Sequence, residues 1–243
     1  MNNVSQILAL RRMTGSPAEW NAFRKEQAAA VAGKIETDKS AEFAKYMEQC
    51  FLAICEELNV FDMASNWAKK PPLEKLAVAD DIIRRFVERI KSDTNGGRAQ
   101  KYNDMPIKPV PKIYVVRSDN GSMSVSTNGA VQVNPNSPAC NDFVKFLMAL
   151  RHEATHIVDL FFPHLSPLCP GILARATAFY VGPHEDEKLY EKNPLEMNAN
   201  TRLKEFGQMV KARIAMREYN RLRGLIGRGM MNNAMGGFGP HGR

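Results

Sequence analysis

Cysteine, histidine and long apolar runs are all scarce in this 243-residue chain, and each shortage narrows what it can be. The four cysteines, Cys50, Cys55, Cys140 and Cys169, form no CxxC pair and are too few to staple a chain of this length. They fit a reducing compartment, as small buried apolar side chains. No apolar run approaches the roughly 18 to 20 residues of a membrane span, and the first residues offer only Ile7 to Leu10 before Arg11 and Arg12. A transmembrane protein and an ordinary secretory signal are therefore not expected. The expectation is a cytoplasmic protein, or one delivered without a standard signal peptide as an effector or virion component. Acidic residues run short in one place: between Thr201 and Arg243 two glutamates face nine Lys and Arg, which accounts for the whole formal charge of +7. A nucleic-acid binder would spread basic charge over a face of its fold, and Lys211 to Arg228 has one aromatic, Tyr219, for base stacking. Nucleic acid is disfavoured. The basic segment is instead expected to meet a protein partner or an anionic surface.

What is present describes a folded protein: 44% hydrophobic and 24% charged residues, enough chain for a sizeable core. Residues 1–100 read as a helical region with a scaffold or docking role. Ser16, Pro17 and Glu19 form a capping box with proline at the first helical position. Phe43, Tyr46, Met47, Cys50, Ile54, Leu58 and Phe61 make a second apolar stripe, and a third helix follows Pro71 and Pro72 to end near Asn95. Residues 101–227 change texture. Short strands are expected at Ile113 to Val116, Met123 to Ser126 and Val131 to Asn134, with turns at Asn120–Gly121 and Asn128–Gly129. Asn141 and Asp142 then open a helix whose apolar positions run from Phe143 to Phe161, and Asn193 and Pro194 open a last long helix. Residues 228–243, rich in Gly, Met and Asn, read as a disordered tail.

With five histidines in all, the spacing of two is informative. His152, Glu153, Ala154, Thr155 and His156 follow one another on the most clearly periodic helix. Residues four apart lie one above the other, so the two imidazoles can converge on one ion. Glu153, about 100° round the helix from His152, can reach a metal-bound water without being a ligand. A catalytic zinc site also needs a third protein ligand and an open position. Glu196, in the first turn of the last helix, is placed to be that ligand, and His164 and His184, in a proline-rich stretch, are the alternatives. Asp159, one turn beyond His156, can accept its free ring N–H or be a plain surface aspartate.

A hairpin ending in an edge strand at Val131 to Asn134, the HExxH helix, Tyr190 and the stretch Asn193 to Ala199 together resemble the zincin metallopeptidases of the gluzincin type, over roughly residues 105 to 215. The resemblance implies an α+β fold: a helical N-terminal region followed by a minimal zincin-like domain with a small, mainly antiparallel sheet and an HExxH active-site helix. It implies Zn2+ held by His152, His156 and Glu196, with Glu153 as the catalytic base. Glu196 and Ala199 match an ExxA pattern. Asn200 stands where an ExxxD pattern would have aspartate, so an amide or another residue would orient a ligand histidine. The metzincin pattern needs glycine and histidine where this chain has Asp159 and Phe162, and fits less well. Tyr180, His184 and Tyr190 are the candidates for stabilising the transition state. A protein or peptide substrate would lie extended beside the edge strand at Val131 to Asn134. The competing expectation is a zincin-fold structural or effector protein, from a phage, a mobile element or a secreted bacterial system, without peptidase activity.

Overall fold

A computed structural model describes residues 16–107 and 109–235. Helix α1 (Pro17–Ala29) starts as its sequence dictates: Ser16 Oγ accepts from the Glu19 amide at 3.2 Å and Glu19 Oε2 accepts from the Ser16 amide at 3.0 Å. Helices α2 (Thr37–Glu57) and α3 (Pro72–Asn95) flank a 3-10 stretch, Val60–Lys69. Their stripes meet, Phe43, Met47, Phe51 and Ile54 against Ile82, Ile83, Phe86 and Ile90. Trp67 is buried in the 3-10 stretch and satisfies its indole N–H on the Cys140 carbonyl at 2.9 Å. Three of the cysteines are buried as expected, and Cys169 is exposed.

Strands β1 (Tyr114–Arg117), β2 (Met123–Val125) and β3 (Ala130–Val133) form one sheet in the order β1-β3-β2. Strand β3 runs parallel to β1 and antiparallel to β2. This corrects two expectations: the sheet is mixed, with one parallel and one antiparallel pair, and the strand at Val131 to Asn134 is central, not an edge. The hairpin itself is as read, with Gly129 at φ 89°, where a Cβ would stand 2.6 Å from the Lys112 carbonyl oxygen. Ala130, Val131 and Val133 make β3 the most buried strand, and it takes the position where both backbone edges are paired away from water. The edge that remains beside the hairpin belongs to β2.

After α4 (Pro138–Asn141) comes α5 (Phe143–Phe161), capped by Asp142 Oδ1 on the Lys145 amide at 3.0 Å. Phe146, Leu147, Leu150, Ala154, Ile157 and Val158 are fully buried, so α5 runs through the core with β2 and α9 packed on it. Helices α6 (Pro170–Ala178), α7 (Glu187–Glu191), α8 (Pro194–Asn200) and α9 (Leu203–Met235) complete the chain. One buried cluster draws on α2, α3, β3, α5 and α9, so the helical region walls the same core as the sheet.

The single last helix expected from Asn193 is two. Arg202 takes φ 57° and turns the chain, and its guanidinium grips the buried Glu48 of α2 at 3.0 and 3.1 Å. The break lets α8 lie across α5 while α9 follows its own direction. Phe206 and Val210 bury α9 against the core, and from Glu218 to Leu225 every residue is exposed. Helix α9 passes Arg228, where the sequence places the start of a tail, and is described as far as Met235. The rest of that expected tail, 236–243, lies outside the described residues. Among the described residues no helix is long and apolar enough to cross a membrane.

Candidate metal centre

His152 and His156 project from one face of α5 with their Nε2 atoms 3.0 Å apart and their rings at 84°. From the first turn of α8, Glu196 brings Oε2 to 3.2 Å from His152 Nε2 and Oε1 to 3.4 Å from His156 Nε2. The three residues are the one such cluster among the described residues, with one ligand atom from each lying within 4.8 Å of the others. Asn200 Oδ1, an acceptor, lies 3.2 Å from His152 Nδ1, so the ring proton belongs on Nδ1 and Nε2 offers a lone pair. Glu196 is 2% exposed, and its Oε2 makes no hydrogen bond despite its closeness to His152, because both atoms are acceptors. Acceptors this close need a cation between them. Ligand atoms on a tetrahedral ion with bonds of ~2.0 to 2.1 Å stand ~3.3 Å apart, so donor type, spacing and the orphaned oxygen all fit a metal ion.

A proton can take the same place. Burial works to lower His156, but its hydrogen bond with Glu196 and the charges of Glu153 and Glu196 carry it up to about 9. Burial works to raise Glu196, and the two histidines overcome it, holding the carboxyl well below the usual range. Glu153 lines the cleft beside them, and burial pushes its carboxyl up against the pull of both histidines.

Helix α8 is gripped along its length. Arg151, fully buried on α5, donates to the Ala199 carbonyl at 2.6 Å, and burial lowers its guanidinium to about 10. Asn198 donates to both oxygens of Asp159 at 3.1 Å, and Ser166 donates to Oδ1 at 2.6 Å. Asp159 is thus a buried residue, not a surface one, whose carboxyl burial raises to about 6. Its oxygens serve Ser166 and Asn198, and it acts on His156 through charge. Tyr180 donates to Glu196 Oε1 at 2.7 Å, and Tyr190 lines the cleft beside it. Burial and the Glu196 charge push both phenols up. His164 is buried elsewhere, against Phe162, and His184 is exposed on the loop after Val181, so neither joins the cluster.

The cluster forms one end of a cleft of about 320 Å³ walled by Leu160, Thr177, Leu195, the two tyrosines and β2 with the residues after it, through Thr127. Ser122 O accepts from the Asn134 amide and the Ser126 amide donates to Ala130 O, so alternate residues of β2 bond β3. The backbone groups of Met123 and Val125 fall on the free edge.

Reading for chemistry passed over Arg151, Ser166 and Asn198. Arg151 left a trace: it falls within the apolar stripe of α5, between Leu147 and Ala154 at helical spacing, where a charge needs a buried partner. Ser166 and Asn198 left none, since their link to Asp159 spans 7 and 39 residues. Compared with protein-family models, curated proteins and solved structures, the chain matches none.

Proposed function

We propose that this chain is a zinc-dependent metallopeptidase of the gluzincin type. The observation that carries the reading is the convergence of two imidazole nitrogens and a buried carboxylate at the end of a cleft whose wall is a free strand edge, with Glu153 beside them. His152, His156 and Glu196 would hold the ion. Zinc supplies Lewis acidity there, lowering the pKa of a coordinated water toward ~7. With the ion held there, Glu153 would accept a proton at a carboxylate oxygen as water adds to the peptide carbonyl carbon, and would return it to the nitrogen as the C–N bond breaks, a transfer that suits a carboxyl raised by burial. Tyr190 holds a phenolic O–H donor at the cleft, where negative charge would develop on the peptide carbonyl, while Tyr180 keeps its O–H on Glu196. The peptide lies extended along β2, in place of the strand at Val131 to Asn134, and bonds the free backbone groups of Met123 and Val125.

The test is Glu153→Gln, assayed on an unfolded protein substrate alongside zinc content. Zinc should stay at the wild-type ratio while hydrolysis falls by about 10²-fold or more. A fully active variant sinks the assignment. Zinc in both proteins with hydrolysis in neither returns the structural or effector reading.

A further inference from the structure

Helix α1 contributes no residue to the cleft, yet it grips the segment that carries both tyrosines to Glu196. That segment has little hold of its own: between Val181 and Asn193 no residue is buried, so the hydrophobic core does not fix it. Arg24 bridges it instead. One face of its guanidinium fork donates to the Tyr180 carbonyl through Nη1 at 3.1 Å, and the other pairs with Glu185 Oε1 through Nη2 at 2.5 Å. Glu185 Oε2 in turn accepts from the Gly182 amide at 3.0 Å, which closes the turn after Tyr180. Lys25 adds a bond to the Glu185 carbonyl at 2.9 Å, and at the far end the Gly33 amide donates to the Lys192 carbonyl at 2.8 Å. Trp20 and Phe23 cover Phe179, the residue before Tyr180, with ring centroids 6.4 and 5.8 Å away. The Arg24 side chain is 19% exposed and Glu185 45%, so the pair is shielded on the α1 side only, and the bond from Arg24 to the Tyr180 carbonyl adds to what the ion pair contributes.

We propose that α1 is a strap across residues 179–192 and that Arg24 is a positioning residue, acting through Tyr180 on the Glu196 carboxylate. The hydrogen bond from Tyr180 holds Glu196 Oε1, 3.4 Å from His156 Nε2, and so fixes the carboxylate whose other oxygen is left unpartnered for an ion. Loosening the strap frees the phenol and then the ligand. An ordinary surface ion pair predicts no effect on the metal, and a generic structural role predicts an effect that ignores Tyr180. The consequence for the metal rests on the zinc reading, whereas the strap itself does not.

The experiment uses the full chain carrying Arg24→Ala, Arg24→Lys, Tyr180→Phe and the Arg24→Ala/Tyr180→Phe pair. Amide exchange across 179–192 is read without added metal, and zinc affinity by competition with a chelating dye. Arg24→Ala should raise exchange in 179–192 and weaken zinc by about tenfold, the loss expected when a ligand's supporting hydrogen bond goes. Arg24→Lys, which keeps the charge but loses the fork, should recover only part of the affinity. In the Tyr180→Phe background Arg24→Ala should cost less than about twofold more, since both act through one hydrogen bond. Wild-type exchange in Arg24→Ala overturns the strap. Full additivity with Tyr180→Phe overturns the route through the phenol. If Arg24→Ala also unfolds the body, Glu185→Ala cuts the same bridge from the exposed side and must reproduce the exchange and affinity changes, or the proposal fails. A wild-type chain that takes up no zinc while Arg24→Ala still loosens 179–192 retires the zinc reading and leaves the strap standing.

Discussion

Asn200 shows how one side chain decides what a neighbour can do. By accepting from His152 Nδ1 it leaves Nε2 as a lone pair aimed at His156 and Glu196. Asn200→Ala should therefore weaken zinc by about tenfold with the melting temperature of the metal-free protein little changed, and Asn200→Asp should restore or tighten it, because a carboxylate accepts the same proton more strongly. Chelator competition measures both. Arg151 works one residue away on the backbone of the same helix end. Arg151→Met orphans the buried Ala199 carbonyl, and denaturant titration should find a loss of about 1 to 3 kcal/mol. Glu48 keeps Arg202 in that variant, so the buried carboxylate is not left bare.

At the scale of elements, two kinds of contact dock α9, and they should differ in strength. Phe206 is fully buried and makes an edge-on contact with Phe51 of α2, so Phe206→Ala should cost about 3 to 5 kcal/mol. Arg217 pairs with Glu56 and Asp62 at the rim, with a third of its side chain in water, and Arg217→Ala should cost under about 1 kcal/mol after screening. The Arg217 hydrogen bond holds the Glu56 carboxyl below its ordinary value of 4.5. A depressed carboxyl adds stability above that value and loses it as pH falls through the folded one. The difference between wild type and Arg217→Ala should hold steady from neutral pH down to about 4.5 and fade below it, as denaturation curves across pH would record. The same dependence on distant partners limits what local reading can see. The turn at Arg202 is set by Glu48, 154 residues earlier, and no feature near Arg202 announces it.

For the molecule as a whole, a metal held by α5 and α8 would join two elements that meet through Arg151, Asn198 and Asn200. Ion binding at a hundred times its dissociation constant adds about 2.7 kcal/mol. A chelator should lower the wild-type melting temperature and leave that of Glu196→Ala where it started, and equal shifts in the two proteins would remove the ion from this site. Local order carries through much of the fold: the capping box at Ser16, the stop after Asn95, the hairpin at Asn128–Gly129 and the whole of α5 stand where residue spacing puts them, because each depends on neighbours within a few positions.

The sequence by itself determined which side chains could share an ion. The four-residue step from His152 to His156 is a property of any helix, and a carboxylate in the first turn after Pro194 needs only a local start signal to be presented. Tertiary structure alone decided that Glu196 arrives, because α8 reaches α5 only after the break at Arg202 and the grip of Arg151 on its last turn. It also decided which strand faces the cleft. A hairpin specifies that β2 and β3 pair, but the far side of β3 is claimed by β1, the strand before the hairpin, and strand order is a matter of burial shared among all three. Packing likewise turned a helix with no legible chemistry, α1, into a wall behind Tyr180. Local residue patterns carry no information about what will lie against them until the core has closed.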